Sequence, residues 1–189
     1  MGICQGFAIM VSQSFGAKRL DEMHTYIYAG AVWTAITAFV VSILVVVFCA
    51  DILHILQVND EIFNDAYAYL VVIFAGIPFT LLYNYLSAIL RAIGDSKTPF
   101  FFLAFSAVLN IGLDFFCILV LKWGCAGAAI ATIFAQAVSG ILCLLLIAFK
   151  VNVLHIPKSS RYVDKNHSIK LLAMGVPTVS YTHLRAHET

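Results

Sequence analysis

Four apolar runs, at residues 29–50, 66–90, 99–121 and 124–149, are each long enough to cross a bilayer, and they leave little freedom in how the chain can fold. A spanning helix needs about 20 apolar residues, and it must satisfy its own backbone N–H and C=O groups because hydrocarbon offers no partner. Composition agrees, with 62% hydrophobic and 11% charged residues against roughly 45–50% and 25% in soluble domains. The predicted fold is therefore all-α, a polytopic transmembrane helix bundle. A fifth run, 1–17, is slightly short and carries Lys18 and Arg19 behind it rather than basic residues ahead of it, the reverse of a signal peptide. It reads as the second half of a helix whose start is missing or displaced.

Charge predicts orientation. Lys18 and Arg19, then Arg91 and Lys97, then Lys150, Lys158, Arg161, Lys165 and Lys170 occupy alternate connections. The other connections carry Asp51, Asp60, Glu61 and Asp65, or Lys122 alone. The positive-inside rule puts loops 17–28, 91–98 and 150–170 in the cytoplasm, with Tyr26 and Tyr28 in an interfacial aromatic belt. A net charge of +1 without a basic stripe argues against a nucleic-acid partner. Membrane lipid is the surrounding partner.

Local signals refine the spans. Asn59 and Asp60 suit the cap of a short interfacial helix before the next span, and Thr98 followed by Pro99 suits a cap and the first helical position. Gly76 and Pro78 predict a bend in the 66–90 helix, with Pro78 as a candidate hinge. Gly124, Ala128, Thr132, Gln136 and Gly140 recur every fourth residue, a small or polar stripe expected to face protein. Residues 151–168 read as a polar cytoplasmic linker and 169–178 as the start of another span, which fails after about half the needed length. The segment 179–189 reads as a non-native tail.

Asp114 is the one formally charged residue inside the four full runs. An acid at bilayer depth costs at least about 2.5–3.5 kcal/mol on insertion scales, so its retention points to function. Asn110 lies one helical turn earlier, and Thr132 and Gln136 on the following helix offer further oxygens. Such a set suits a dehydrated sodium ion or an exchangeable proton; the competing reading is a neutral hydrogen bond that only packs helices. Tyr83 and Asn84 are candidate cavity-lining residues, with core packing as the alternative. Beyond a sodium ion at Asp114 no metal site is expected. The six histidines fall in predicted loops or the tail, and the five cysteines are scattered like small core residues. No nucleophile elbow, P-loop, HExxH or dinucleotide fingerprint is present, so neither an enzyme nor a bound cofactor is expected.

Three stretches resemble the multidrug and toxic compound extrusion (MATE) family of secondary transporters: SQSFGAKR at 12–19, LRAIGDSKTP at 90–99, and NIGLD at 110–114 followed by GAAIAT at 127–132. The resemblance implies that 1–150 is an amino-terminal lobe holding helices two to six and lacking the first. The inter-lobe linker and the start of helix seven would then follow. It also implies a cation site at Asn110, Asp114 and Thr132, exchange of amphipathic, often cationic drugs for sodium ions or protons, and the remainder of the transporter as partner. A bacterial plasma membrane is the expected location. The alternatives are a lipid-linked oligosaccharide or polysaccharide flippase of the same superfamily, for which no cavity-facing base is present in the spans, and, from other classes, an intramembrane enzyme or a non-transporting scaffold.

Overall fold

The computed structural model describes residues 2–154 together with Ile156, Pro157, Ser160, Ile169 and Leu171. Most of the expected linker, helix-seven start and tail therefore lie outside the described residues, as do His155, His167, His183 and His187. In chain order the helices are α1 (Gly2–Gly16), α2 (Leu20–Val47), α3 (Cys49–Ile55), α4 (Asp60–Ala75), α5 (Ile77–Ala92), α6 (Lys97–Phe115) and α7 (Gly124–Lys150). A π turn, Phe116–Val120, continues α6, and a 3-10 turn, Asn152–Leu154, follows α7. The α2 and α7 helices and the combined α6–π segment are each long and apolar enough to span a membrane. The α4 and α5 helices together make a fourth span, bent by 42°.

The α7 helix packs against α4, α5 and α6, while α1 and α2 close over α5 from the other side. Phe7 and Val11 of α1, Met23 and Tyr26 of α2, Ile89 and Leu90 of α5 and Cys143 of α7 are buried in one cluster. Large apolar side chains such as Ile43, Phe100, Phe101, Val108 and Phe149 face outward instead. In a hydrocarbon solvent that surface carries no hydrophobic penalty, and close packing of small residues holds the helices together. The buried line on α7 is Gly127, Ala131, Ala135, Ser139 and Cys143. The predicted stripe is thus displaced: Gly124 is exposed, Ala128, Thr132 and Gln136 are half-buried, and Gly140 is buried. Pinched between α4 and α5 on one side and α6 on the other, α7 buries its smallest residues centrally and leaves the polar ones at the seam.

The bend falls where expected, and α7 comes close at the break. A Cβ on Gly76 would stand 2.3 Å from Ile133 Cγ1 of α7. Pro78 occupies the first turn of α5, where a backbone N–H has no helical partner to lose. A second close approach occurs at Gly30, where a Cβ would sit 2.8 Å from the Tyr85 hydroxyl, which donates to Ile27 O at 2.6 Å.

Several local expectations are corrected. The segment 20–28 is the start of α2 rather than loop, and Tyr26 is buried in the core rather than set in an aromatic belt. His24 lies within α2 and is nearly buried, its Nε2 2.7 Å from Val153 O, while His54 lies within α3. Four cysteines are buried as expected, but Cys125 is exposed. Asn59 does cap a helix, accepting from Glu61 N at 3.2 Å, but that helix is α4 itself. At α6 the acceptor is Asp95 rather than Thr98: Thr98 N donates to Asp95 Oδ1 at 3.1 Å, and Pro99 follows as the third helical residue. A carboxylate placed three residues ahead reaches an orphan N–H of the first turn better than the threonine hydroxyl does.

Two stability predictions follow from these ends. Hydrogen bonds from Thr98, chiefly its side chain and then its backbone, hold the Asp95 carboxyl below the ordinary carboxylate range. A depressed carboxylate stabilises above its unfolded value and loses that contribution as pH falls through the folded one. Asp95→Ala is therefore expected to cost about 0.5–2 kcal/mol near neutral pH and to flatten the acid limb of a thermal-unfolding profile. Gln57 ends α3 with φ of +53°, where Val58 N reaches back to Leu53 O at 3.2 Å. Gln57→Gly should raise stability by about 0.5–1 kcal/mol in the same assay, since glycine enters the left-handed region without a Cβ clash.

Candidate functional site

A pocket of about 250 Å³ opens between α5, α6 and α7, and it gathers Tyr83, Asn84, Asn110, Thr132 and Gln136 from three helices. Each was singled out in the sequence for a site or a cavity wall. Asn110 Nδ2 donates to Thr132 Oγ1 at 3.2 Å, and the Thr132 hydroxyl donates to Ala128 O at 3.0 Å. The amide oxygen of Asn110 takes no part in that bond. On α5, Asn84 Nδ2 donates to Thr80 O at 2.9 Å and the Thr80 hydroxyl donates to Gln136 Oε1. Tyr83 OH donates to Pro99 O at 2.8 Å, tying α5 to the start of α6.

Asp114 stands apart from that pocket. It lines a separate, largely apolar depression with Ile111, Phe115, Ile118 and Leu119, one turn beyond Asn110 on α6. The residue is half-buried, yet its Oδ1 is buried without a hydrogen-bond partner. Among the described residues no basic group pairs with it; the ion pair there, Arg19 with Glu22 at 3.0 Å, lies at the turn after α1. The structure therefore joins Asn110 to Thr132 directly and leaves the carboxylate as a neighbouring acceptor with spare capacity.

Two polar wall residues escaped the sequence reading, Thr80 and Ser106. Both stand one helical turn before a chosen asparagine, Thr80 ahead of Asn84 and Ser106 ahead of Asn110, so polar pairs at i,i+4 in an apolar run were the available signal.

Long apolar helices, one of them broken, packed around a pocket to which three of them contribute polar side chains define the class: an α-helical integral membrane bundle. The MatE family model matches residues 1–116, and the chain belongs to that family. It is 29% identical over 184 residues to "Probable multidrug resistance protein YoeA" of Bacillus subtilis, covering 94% of this chain and 40% of that protein. It is 32% identical over 180 residues to "Probable multidrug resistance protein YpnP" of the same organism, covering 94% of this chain and 39% of that one. The chain thus spans about 40% of the length of these curated relatives. Among solved structures it superposes on an inward-facing multidrug resistance MATE family transporter of the MOP superfamily with a TM-score of 0.88, at 21% identity, covering 94% of this chain and 40% of that one. The outward-facing form of a transporter so described gives 0.87 with the same identity and coverage. These likenesses establish the fold of the bundle.

Proposed function

We propose that this chain forms the cation-binding lobe of a secondary transporter that exports amphipathic, often cationic, small molecules in exchange for sodium ions or protons. The observation that carries it is the Asp114 carboxylate, with one oxygen buried and unpartnered a single turn from the Asn110–Thr132 bond. Asp114 takes the ion or proton, the free amide oxygen of Asn110 and the Thr132 oxygen complete the ligand set, and the pocket walled by Tyr83, Asn84 and Gln136 meets the organic substrate. The names of the Bacillus subtilis relatives support drug efflux as the task. The likeness of the bundle to both inward- and outward-facing transporters supports a lobe that moves largely as a body. Pro78, beside the break at Gly76, is the hinge at which α4 and α5 would change their angle. The remainder of the transporter is the partner of this lobe, and the bacterial plasma membrane is its location, with 17–28, 91–98 and 150–170 at the cytoplasmic face.

Dye efflux under imposed sodium or proton gradients tests this in a full-length transporter carrying these residues. Asn110→Ala is expected to raise the ion concentration needed for half-maximal efflux about tenfold, as loss of one charged-group ligand does. An unchanged ion dependence in both Asn110→Ala and Asp114→Asn would reject the site.

A further inference from the structure

We propose that the segment following α7 is a strap that fastens α7 to the beginning of α2, and that His24 is its latch. The α2 helix packs on α1, α4 and α5, and α7 packs on α4, α5 and α6, so the α4–α5 span stands between the two. Further along α2 a cavity of about 330 Å³ separates Ala35 and Ala38 from Leu144 of α7. At the end where α1 turns into α2 the gap is bridged. The chain leaves α7 at Val151 and enters the 3-10 turn Asn152–Leu154, in which Leu154 N donates to Val151 O at 2.9 Å. That turn presents Val153 O to His24 Nε2 at 2.7 Å, across 129 positions of sequence.

A carbonyl only accepts, so the imidazole donates from Nε2, and its Nδ1 is buried with no partner. Among the described residues the bond to Val153 is thus the one hydrogen bond of a ring that is 9% exposed. Breaking it strands a buried donor and a buried carbonyl together, so the contact is either made or lost as a whole. Leu154, 4% exposed, enters the cluster formed by Phe7 and Val11 of α1, Met23 of α2 and Ile89 of α5, with Val151 and Ile156 packed against that cluster. A strap that lifts draws Leu154 out as His24 lets go, and the polar and apolar contacts open in one local step. Cys143, in the last two turns of α7, is fully buried in the same cluster. Closed, the strap makes one body of the two sides of the bundle that flank α5. The latch stands whether or not the lobe transports.

The native thiols report on the latch. The 189-residue chain in lipid nanodiscs is treated with N-ethylmaleimide, and the adduct at each cysteine is timed by peptide mass spectrometry. Cys143 belongs to the cluster that Leu154 enters, whereas Cys49 and Cys117 are buried outside it and Cys125 is exposed. His24→Phe keeps a ring and removes the donor. It is expected to speed labelling of Cys143 about fivefold to tenfold, as loss of one buried hydrogen bond does, with Cys49 and Cys117 unchanged. His24→Gln returns an amide N–H to the position of Nε2 and should label Cys143 within about twofold of the wild type, since one donor replaces another. Leu154→Ala should reproduce the His24→Phe pattern without touching the histidine, and it carries the test if His24→Phe fails to fold. Labelling of Cys143 unchanged in both His24→Phe and Leu154→Ala, His24→Gln as fast as His24→Phe, or a parallel rise at Cys49 and Cys117 would overturn the proposal.

Discussion

Asp114→Asn is expected to abolish gradient-driven efflux while leaving the bundle as stable as before, or more so. The carboxylate Oδ1 accepts no hydrogen bond, so the native fold loses no bond there when the charge is removed. A packing role predicts the opposite pair of results, retained efflux and a lower unfolding midpoint. The energetic loss is large because one coupled charge supplies about 2.3 kcal/mol across roughly 100 mV, equivalent to about fiftyfold in the attainable substrate gradient. Substrate accumulation measured at fixed membrane potential reads that loss, and thermal unfolding of the same variant in detergent reads the stability.

Gly76→Ala should be the most damaging single methyl in the bundle. The new Cβ would meet Ile133 Cγ1 at 2.3 Å and Cδ1 at 2.6 Å, and the branched isoleucine has no free end to swing aside. The expected loss is about 1–3 kcal/mol, as for overpacking in a tight core. Ile133→Ala in the Gly76→Ala background should restore much of it, because the two changes share one space. A double-mutant cycle on unfolding midpoints checks this; strictly additive losses would mean that the bend does not rest on the contact between α4 and α7.

Much of this architecture was legible because a membrane reads length and polarity so directly. The four spans followed from apolar runs alone, and the bend followed from Gly76 and Pro78. The start of α2 did not. Asp21, Glu22, His24 and Tyr26 look like loop residues, yet the acids suit the positive end of a helix, and α1, α5 and Val153 cover the histidine and tyrosine. Such cover is tertiary and leaves no trace in the local pattern. The same division holds in the site. The polar partners Asn110 and Thr132 were visible from spacing, and Tyr83, Asn84 and Gln136 do share their pocket. The offset of Asp114 was not visible, because four residues turn a helix by about 40° beyond one full circle. That drift carries the carboxylate away from the seam with α7, just before the π turn that ends α6.

Infrared difference spectroscopy of the wild-type chain and its Asp114→Asn variant, perfused with and without sodium and across pH, reads the carboxyl itself. One carboxyl signal that responds to sodium or to pH in the wild type and vanishes in the variant is the predicted result. Difference spectra that are the same in both proteins would contradict an ion-handling role for Asp114.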